Sequence, residues 1–147
     1  MKIRMPIAAA GAAALLGAGA LVLPAAASAT SATHTLKFIS VTKNSVMFTK
    51  ATGGQQDTDV NAAGKTVGYD MIYFTATSAT AAAVNVTADT SGGFIYGTGT
   101  ISFKTGAFSN GKVTGGTGRF AGATGTIKAK NLNKAGTRAA VTITYST

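Results

Sequence analysis

From Thr30 onward the apolar positions recur at every second residue, in runs of six to ten broken by Gly, Ser and Asn. That two-residue period places successive side chains on opposite faces of a strand, and no stretch carries a helical repeat. The clearest run is Arg138 to Ser146 (RAAVTITYS), where Ala139, Val141, Ile143 and Tyr145 alternate with Ala140, Thr142 and Thr144. One face is apolar and the other is mostly threonine. Val84 and Val86 alternate in the same way with Asn85 and Thr87, Ile127 and Ala129 with Lys128 and Lys130, and Ile95, Ile101 and Phe103 share one side of a longer run.

Thr66 to Thr77 (TVGYDMIYFTAT) is apolar on both faces, with Val67, Tyr69, Met71 and Tyr73 on one and Ile72 and Phe74 on the other. A strand covered on both sides suits a barrel wall that also meets another surface, such as a second subunit. The pattern predicts eight strands, at His34–Thr42, Ser45–Lys50, Thr66–Thr77, Ala82–Ala88, Phe94–Phe103, Ala107–Val113, Thr124–Asn131 and Thr137–Ser146. Ala51 to Gly64 (ATGGQQDTDVNAAG) reads as a polar loop. Eight antiparallel strands can close on themselves, and closure leaves no exposed edge. The fold class is therefore all-β, an eight-stranded antiparallel β-barrel, with an open sandwich as the structural rival.

The first residues differ in kind. Lys2 and Arg4 precede an apolar run from Ile7 to Leu23, and small residues follow Pro24 up to Ala27-Ser28-Ala29. This is the layout of a helical secretory signal peptide, residues 1–29, cleaved after Ala29 or Ala27, with a retained membrane anchor as the alternative. The protein is expected outside the cell, as one barrel domain over residues 30–147. There is no cysteine, so the barrel is expected to hold without disulfides and thiolate chemistry is excluded.

Without Lys2 and Arg4, 11 Lys and Arg face four Asp and no Glu, a formal charge of +7. The lysines are scattered, which reads as a solvated face with weak attraction to an anionic cell surface. No basic-aromatic motif of a nucleic-acid module is present, and nucleic acid is not an expected partner.

The glycines of Gly111 to Lys130 (GKVTGGTGRFAGATGTIKAK) need an explanation. Gly106 to Lys112 (GAFSNGK) fits part of a phosphate loop, and Gly116 to Ala121 fits a dinucleotide fingerprint by letter. Both require a helix to follow, and a strand pattern follows instead. Val113, Phe120 and Ile127 are anchors that a flexible linker lacks. What remains is a sharp corner between packed strands, with Gly115, Gly116, Gly118, Gly122 and Gly125 as structural glycines.

Val113 to Leu132 (VTGGTGRFAGATGTIKAKNL) resembles the glycine hairpin of allene oxide cyclases and dirigent proteins, V-x-G-G-[ST]-G-x-[FY]-x-G-[AV]-x-G-x-[IV]. Thr66 to Asp70 (TVGYD) and Gly92 to Gly99 (GGFIYGTG) resemble two further strands of that family, so the likeness spans most of residues 30–147. It implies an eight-stranded barrel with an apolar lumen, assembled as a homodimer or homotrimer and needing no cofactor. It also implies an apolar small-molecule ligand and, where a reaction occurs, cyclisation or isomerisation. The cavity glutamate of plant cyclases has no counterpart, since Leu36 to Lys43 (LKFISVTK) offers only Ser40 and Thr42. Their cavity cysteine is missing too.

Asp70 is the candidate catalytic residue, because it shares a side with Ile72 and Phe74. Inside the lumen it would lose hydration and become a general acid or base; at the rim it would simply pair with a lysine or Arg119. Tyr69, Tyr73 and Tyr96 are candidate ligand-binding hydroxyls, or packing residues with a wet tip. Asn85 and Asn131 are further ligand-binding candidates. No metal is expected: Asp57-Thr58-Asp59-Val60-Asn61 starts like a calcium loop, but Ala62 stands where its turn glycine belongs. His34, the sole histidine, lies near the expected new terminus and carries no catalytic assignment. A barrel filled with side chains, acting through its outer surface at the cell envelope, is the alternative function.

Overall fold

The computed structural model describes residues 31–147; the expected signal peptide lies outside them. The eight strands are β1 Thr33–Met47, β2 Thr52–Val60, β3 Thr66–Ser78, β4 Ala81–Thr90, β5 Gly93–Ser102, β6 Phe108–Gly116, β7 Thr124–Asn131 and β8 Arg138–Ser146. Each runs antiparallel to the next, and β1 pairs with β8 to close the barrel. All eight ladders lie between Thr33 and Ser146, so the closed sheet is complete within the described residues.

One sequence expectation fails. Residues 51–64 are not a loop: β1 continues to Met47, and Thr52–Val60 forms β2, paired to β1 on one side and β3 on the other. The expected strand over Ser45–Lys50 is thus the far end of β1 and the turn that follows. The cause lies in which side chains β2 turns inward. Asp57 and Asp59 are buried and Gln55 half-buried, so the inward face is polar and the usual apolar alternation is missing.

An up-and-down barrel sends alternate connections to opposite ends. Connections 48–51, 79–80, 103–107 and 132–137 lie at one end, while 61–65, 91–92, 117–123 and the start of β1 lie at the other. The second end is plugged. The β6–β7 connection folds into a single 3-10 turn, Gly118–Phe120, which drives the Phe120 ring inward until none of it is exposed. Phe120 packs edge-on against Tyr145, 5.3 Å between ring centres, in a cluster with Phe38, Ile95, Val113, Ala123, Ile127 and Ile143.

The sharp reversal around this plug uses left-handed backbone at Gly118 (φ 58°) and Gly122 (φ 75°), which a side chain would strain. Arg119 caps the plug from outside, its guanidinium 4.8 Å from the Phe120 ring centre. The interior at this end is packed around the Phe120 ring.

Candidate functional site

Above the Phe120 plug the lumen holds a cavity of about 300 Å³ that reaches the first end, where Gly106, Asn131 and residues 135–137 line its mouth. Most of its wall is apolar, formed by Phe38, Ile72, Val86, Ile101, Phe108 and Val141 among others. One side is not. Ser40 and Thr42 of β1, Gln55 and Asp57 of β2 and Asp70 of β3 present polar groups from three neighbouring strands.

Strand period brings these residues together. Ser40 and Thr42 are two apart, Gln55, Asp57 and Asp59 are two apart, and the β2–β3 register sets Asp57 directly opposite Asp70. Asp57 Oδ2 accepts from Ser40 Oγ at 2.7 Å and from Gln55 Nε2 at 2.8 Å, and the same Gln55 nitrogen donates to Thr42 Oγ1 at 3.0 Å. Asp59 sits deeper, toward the plug, in a recess of about 190 Å³ shared with Lys37, Phe38, Gly68 and Arg119.

All three carboxylates are almost wholly removed from solvent: Asp57 is 2 %, Asp59 1 % and Asp70 4 % exposed. One oxygen of each, Oδ1, is buried without a hydrogen-bond partner. Buried polar atoms are nearly always paired in folded proteins, so three buried carboxyls this close together must share a proton among themselves or meet a further donor.

Burial, and then the neighbouring carboxylates, push Asp59 up to about 8. Burial and the charge of Asp57 likewise push Asp70 up to about 6, while hydrogen bonds from Asp59 and Ser40 draw it part of the way back. Near neutral pH Asp59 therefore keeps its proton and offers it to an ionised Asp70. A carboxyl titrating near 6 beside an apolar cavity is matched to proton transfer at physiological pH.

Asp70 thus lies on the lumen wall and not at a lysine-paired rim. Tyr69, Tyr73 and Tyr96 do not face the lumen; they are 50 %, 44 % and 39 % exposed on the outside of the barrel. They occupy the strand phase opposite to Asp70, Ile72 and Ile95, which takes the inward positions. Asn85 is also outside, where it lines a surface groove with Val46, Phe48, Met71, Tyr73 and Thr87. Asn131 is at the cavity mouth, its Nδ2 donating to the Gly106 carbonyl at 3.2 Å.

The sequence reading sets Asp57 and Asp59 in a polar loop, as a rejected calcium motif, and gives Gln55 no role, whereas all three turn inward from β2. Their spacing of two was the available signal, the mark of one strand face. Among the described residues no group of three or more His, Cys, Asp or Glu side chains is arranged to hold a metal ion.

No protein-family model matches the chain, and no curated protein matches it. Among solved structures it is similar to a pyocyanin demethylase, at 16 % identity and a TM-score of 0.58, over 76 % of this chain and 99 % of that one. At that identity the likeness is one of fold, the small closed barrel.

Proposed function

We propose that this barrel binds an apolar small molecule in its lumen and meets a basic or hydrogen-bonding group of that ligand with the carboxylates of Asp57 and Asp70. The observation that carries the proposal is the pairing of an apolar cavity of about 300 Å³ with buried carboxylate oxygens on one wall. Pockets that hold small molecules have this make-up, apolar walls with a few fixed polar groups. A barrel filled throughout would leave no such space. The similar solved barrel is named for a reaction on pyocyanin, which supports a lumen that handles small molecules.

We assign the chemistry to Asp70. Its carboxylate takes a proton from one atom of the ligand and returns it to another, with Asp59 relaying hydrogen-bond support from behind. The net change is an isomerisation or a cyclisation, which consumes no co-reactant. The apolar wall contributes by folding the ligand into one reactive shape. We read the barrel as of the allene oxide cyclase and dirigent type, exported after loss of residues 1–29 or 1–27.

The test uses a matched pair of environment-sensitive apolar dyes, one neutral and one bearing an amine. The amine dye is expected to bind at pH 7, and Asp70→Asn to weaken it by roughly 10-fold or more, the scale of a hydrogen bond to a charged group. Tyr73→Phe, on the outer face, is expected to change nothing. Unchanged amine-dye binding in Asp70→Asn would remove that residue from the site.

The same reading includes a homodimer or homotrimer. The outward side of β3 supports it, since Val67, Tyr69, Met71 and Tyr73 are all large, apolar and exposed, Met71 at 66 %. Met71→Glu is expected to shift the sedimenting species to monomer mass while leaving the melting temperature of that monomer intact. A wild-type protein that already sediments as a monomer would end this part of the reading.

A further inference from the structure

We infer that the open end of the barrel docks on an anionic lipid bilayer, mouth first. Three of its four connections share one design, an exposed large apolar residue followed within two positions by an exposed lysine. They are Phe48 and Lys50 in 48–51, Phe103 and Lys104 in 103–107, and Leu132 and Lys134 in 132–137. Phe48 is 59 %, Phe103 49 % and Leu132 50 % exposed; Phe48 leans on Tyr73 of the outer wall, 6.1 Å between ring centres, and Phe103 edge-on on Phe74 at 6.4 Å, while Met47 at the end of β1 adds 56 %.

At the opposite end Val67 and Phe94 are exposed at the starts of β3 and β5, with Lys65 beside Val67, but the connections themselves carry no exposed apolar tip. They contain one large apolar ring, Phe120, which is fully buried. No acidic residue lies in any of the four mouth connections, because three of the chain's four aspartates are buried inside the barrel and Asp89 sits near the far end of β4. The mouth is therefore both greasy and uniformly positive.

Apolar tips that enter the acyl boundary, flanked by lysines at headgroup level, are the means by which peripheral proteins hold an interface. Charge selects the partner: a neutral surface offers the lysines nothing, and a dissolved polyanion offers the phenylalanines and leucine nothing. An anionic bilayer satisfies both. Two of the three tipped connections also line the cavity mouth through Gly106, Ala135 and Gly136, so docking points the lumen at the lipid. Exchange of an apolar ligand between bilayer and lumen then follows, and that last step rests on the lumen reading above. Docking itself rests on the rim alone.

The barrel, residues 31–147, is mixed with vesicles of phosphatidylglycerol and phosphatidylcholine, and separately with phosphatidylcholine alone. Binding is expected only to the anionic vesicles, and the triple change Lys50→Gln, Lys104→Gln and Lys134→Gln is expected to lower partitioning by about 100-fold at low salt. Lys65→Gln with Arg119→Gln, at the closed end, leaves it unchanged. The chain contains no tryptophan, so Phe48→Trp and Leu132→Trp each give a single reporter at an exposed position of the rim. Their emission is expected to shift to the blue on anionic vesicles and to be quenched by brominated acyl chains, while Val67→Trp at the other end is not. Unshifted mouth reporters, equal binding of the two vesicle types, or loss through the closed-end variant would each overturn docking. The dye assay on the lumen is untouched by any of these outcomes.

Discussion

Phe120→Ala is expected to destabilise the barrel by about 3–5 kcal/mol, the usual cost of emptying a buried aromatic site. The ring is wholly buried, and it is the only large side chain that the β6–β7 connection sends inward. Its loss would leave a cavity lined by Ile95, Val113, Ile143 and Tyr145, residues fixed on paired strands and so unable to collapse into the gap. Tyr145 would also lose its edge-on aromatic partner. For a domain of this size the drop corresponds to roughly 10–20 °C in melting temperature. Phe120→Leu, which keeps most of the volume, is expected to recover more than half of that loss. A change under about 1 kcal/mol in Phe120→Ala would mean that the closed end is held by the sheet alone and that the plug is incidental.

The plug also shows how sequence and structure relate in this chain. Where strands bury apolar side chains, as in β4, β5, β7 and β8, alternation located them to within a few residues, because the period of two is itself the consequence of a half-buried pleat. β2 was hidden for the converse reason: it turns Gln55, Asp57 and Asp59 inward, and a polar inward face looks like a loop to any reading that expects interiors to be apolar. The same three residues are the ones that make the lumen chemically distinctive. Local rules failed at the place where the interior departs from a plain core.

β3 was ambiguous in a different way. Both faces are apolar, so the pattern defines the strand but leaves open which face is the lumen, and on that pattern alone the tyrosines are candidates. Asp70 resolves the phase once it meets Asp57 across the β2–β3 ladder, a pairing no single segment reveals. The six apolar and cationic tips at the mouth were likewise invisible as a set. They lie at sequence positions 48–50, 103–104 and 132–134 and come together only because an antiparallel barrel sends alternate connections to one end.

Stability is expected to fall as pH rises from about 4 to about 8, with Asp59 and Asp70 as the cause. Both carry folded-state values above the ordinary carboxylate value of 3.8, Asp59 near 8 and Asp70 near 6. Between 3.8 and those values the folded chain holds more protons than the unfolded chain, so unfolding releases protons and becomes easier with each step up in pH. The contribution is fully present below the unfolded value, and it is lost as pH rises through 6 and then 8.

At 1.36 kcal/mol per unit, the Asp70 displacement alone corresponds to about 3 kcal/mol, and that of Asp59 acts in the same direction. Asp59→Asn mimics the protonated form, so the variant is expected to match the wild type near pH 4 and to exceed it at pH 8 by at least about 2 kcal/mol. Urea unfolding at a series of pH values measures this directly. A wild type that gains stability between pH 4 and 8, or an Asn variant that runs parallel to it throughout, would show that these carboxyls are not displaced. Held in the folded lumen against that penalty, the two acids are better understood as equipment for a ligand than as supports of the barrel. A ligand that carries a basic nitrogen into the cavity would give Asp70 a cationic partner, and its stabilising effect is therefore expected to be largest at the alkaline end of the same pH series.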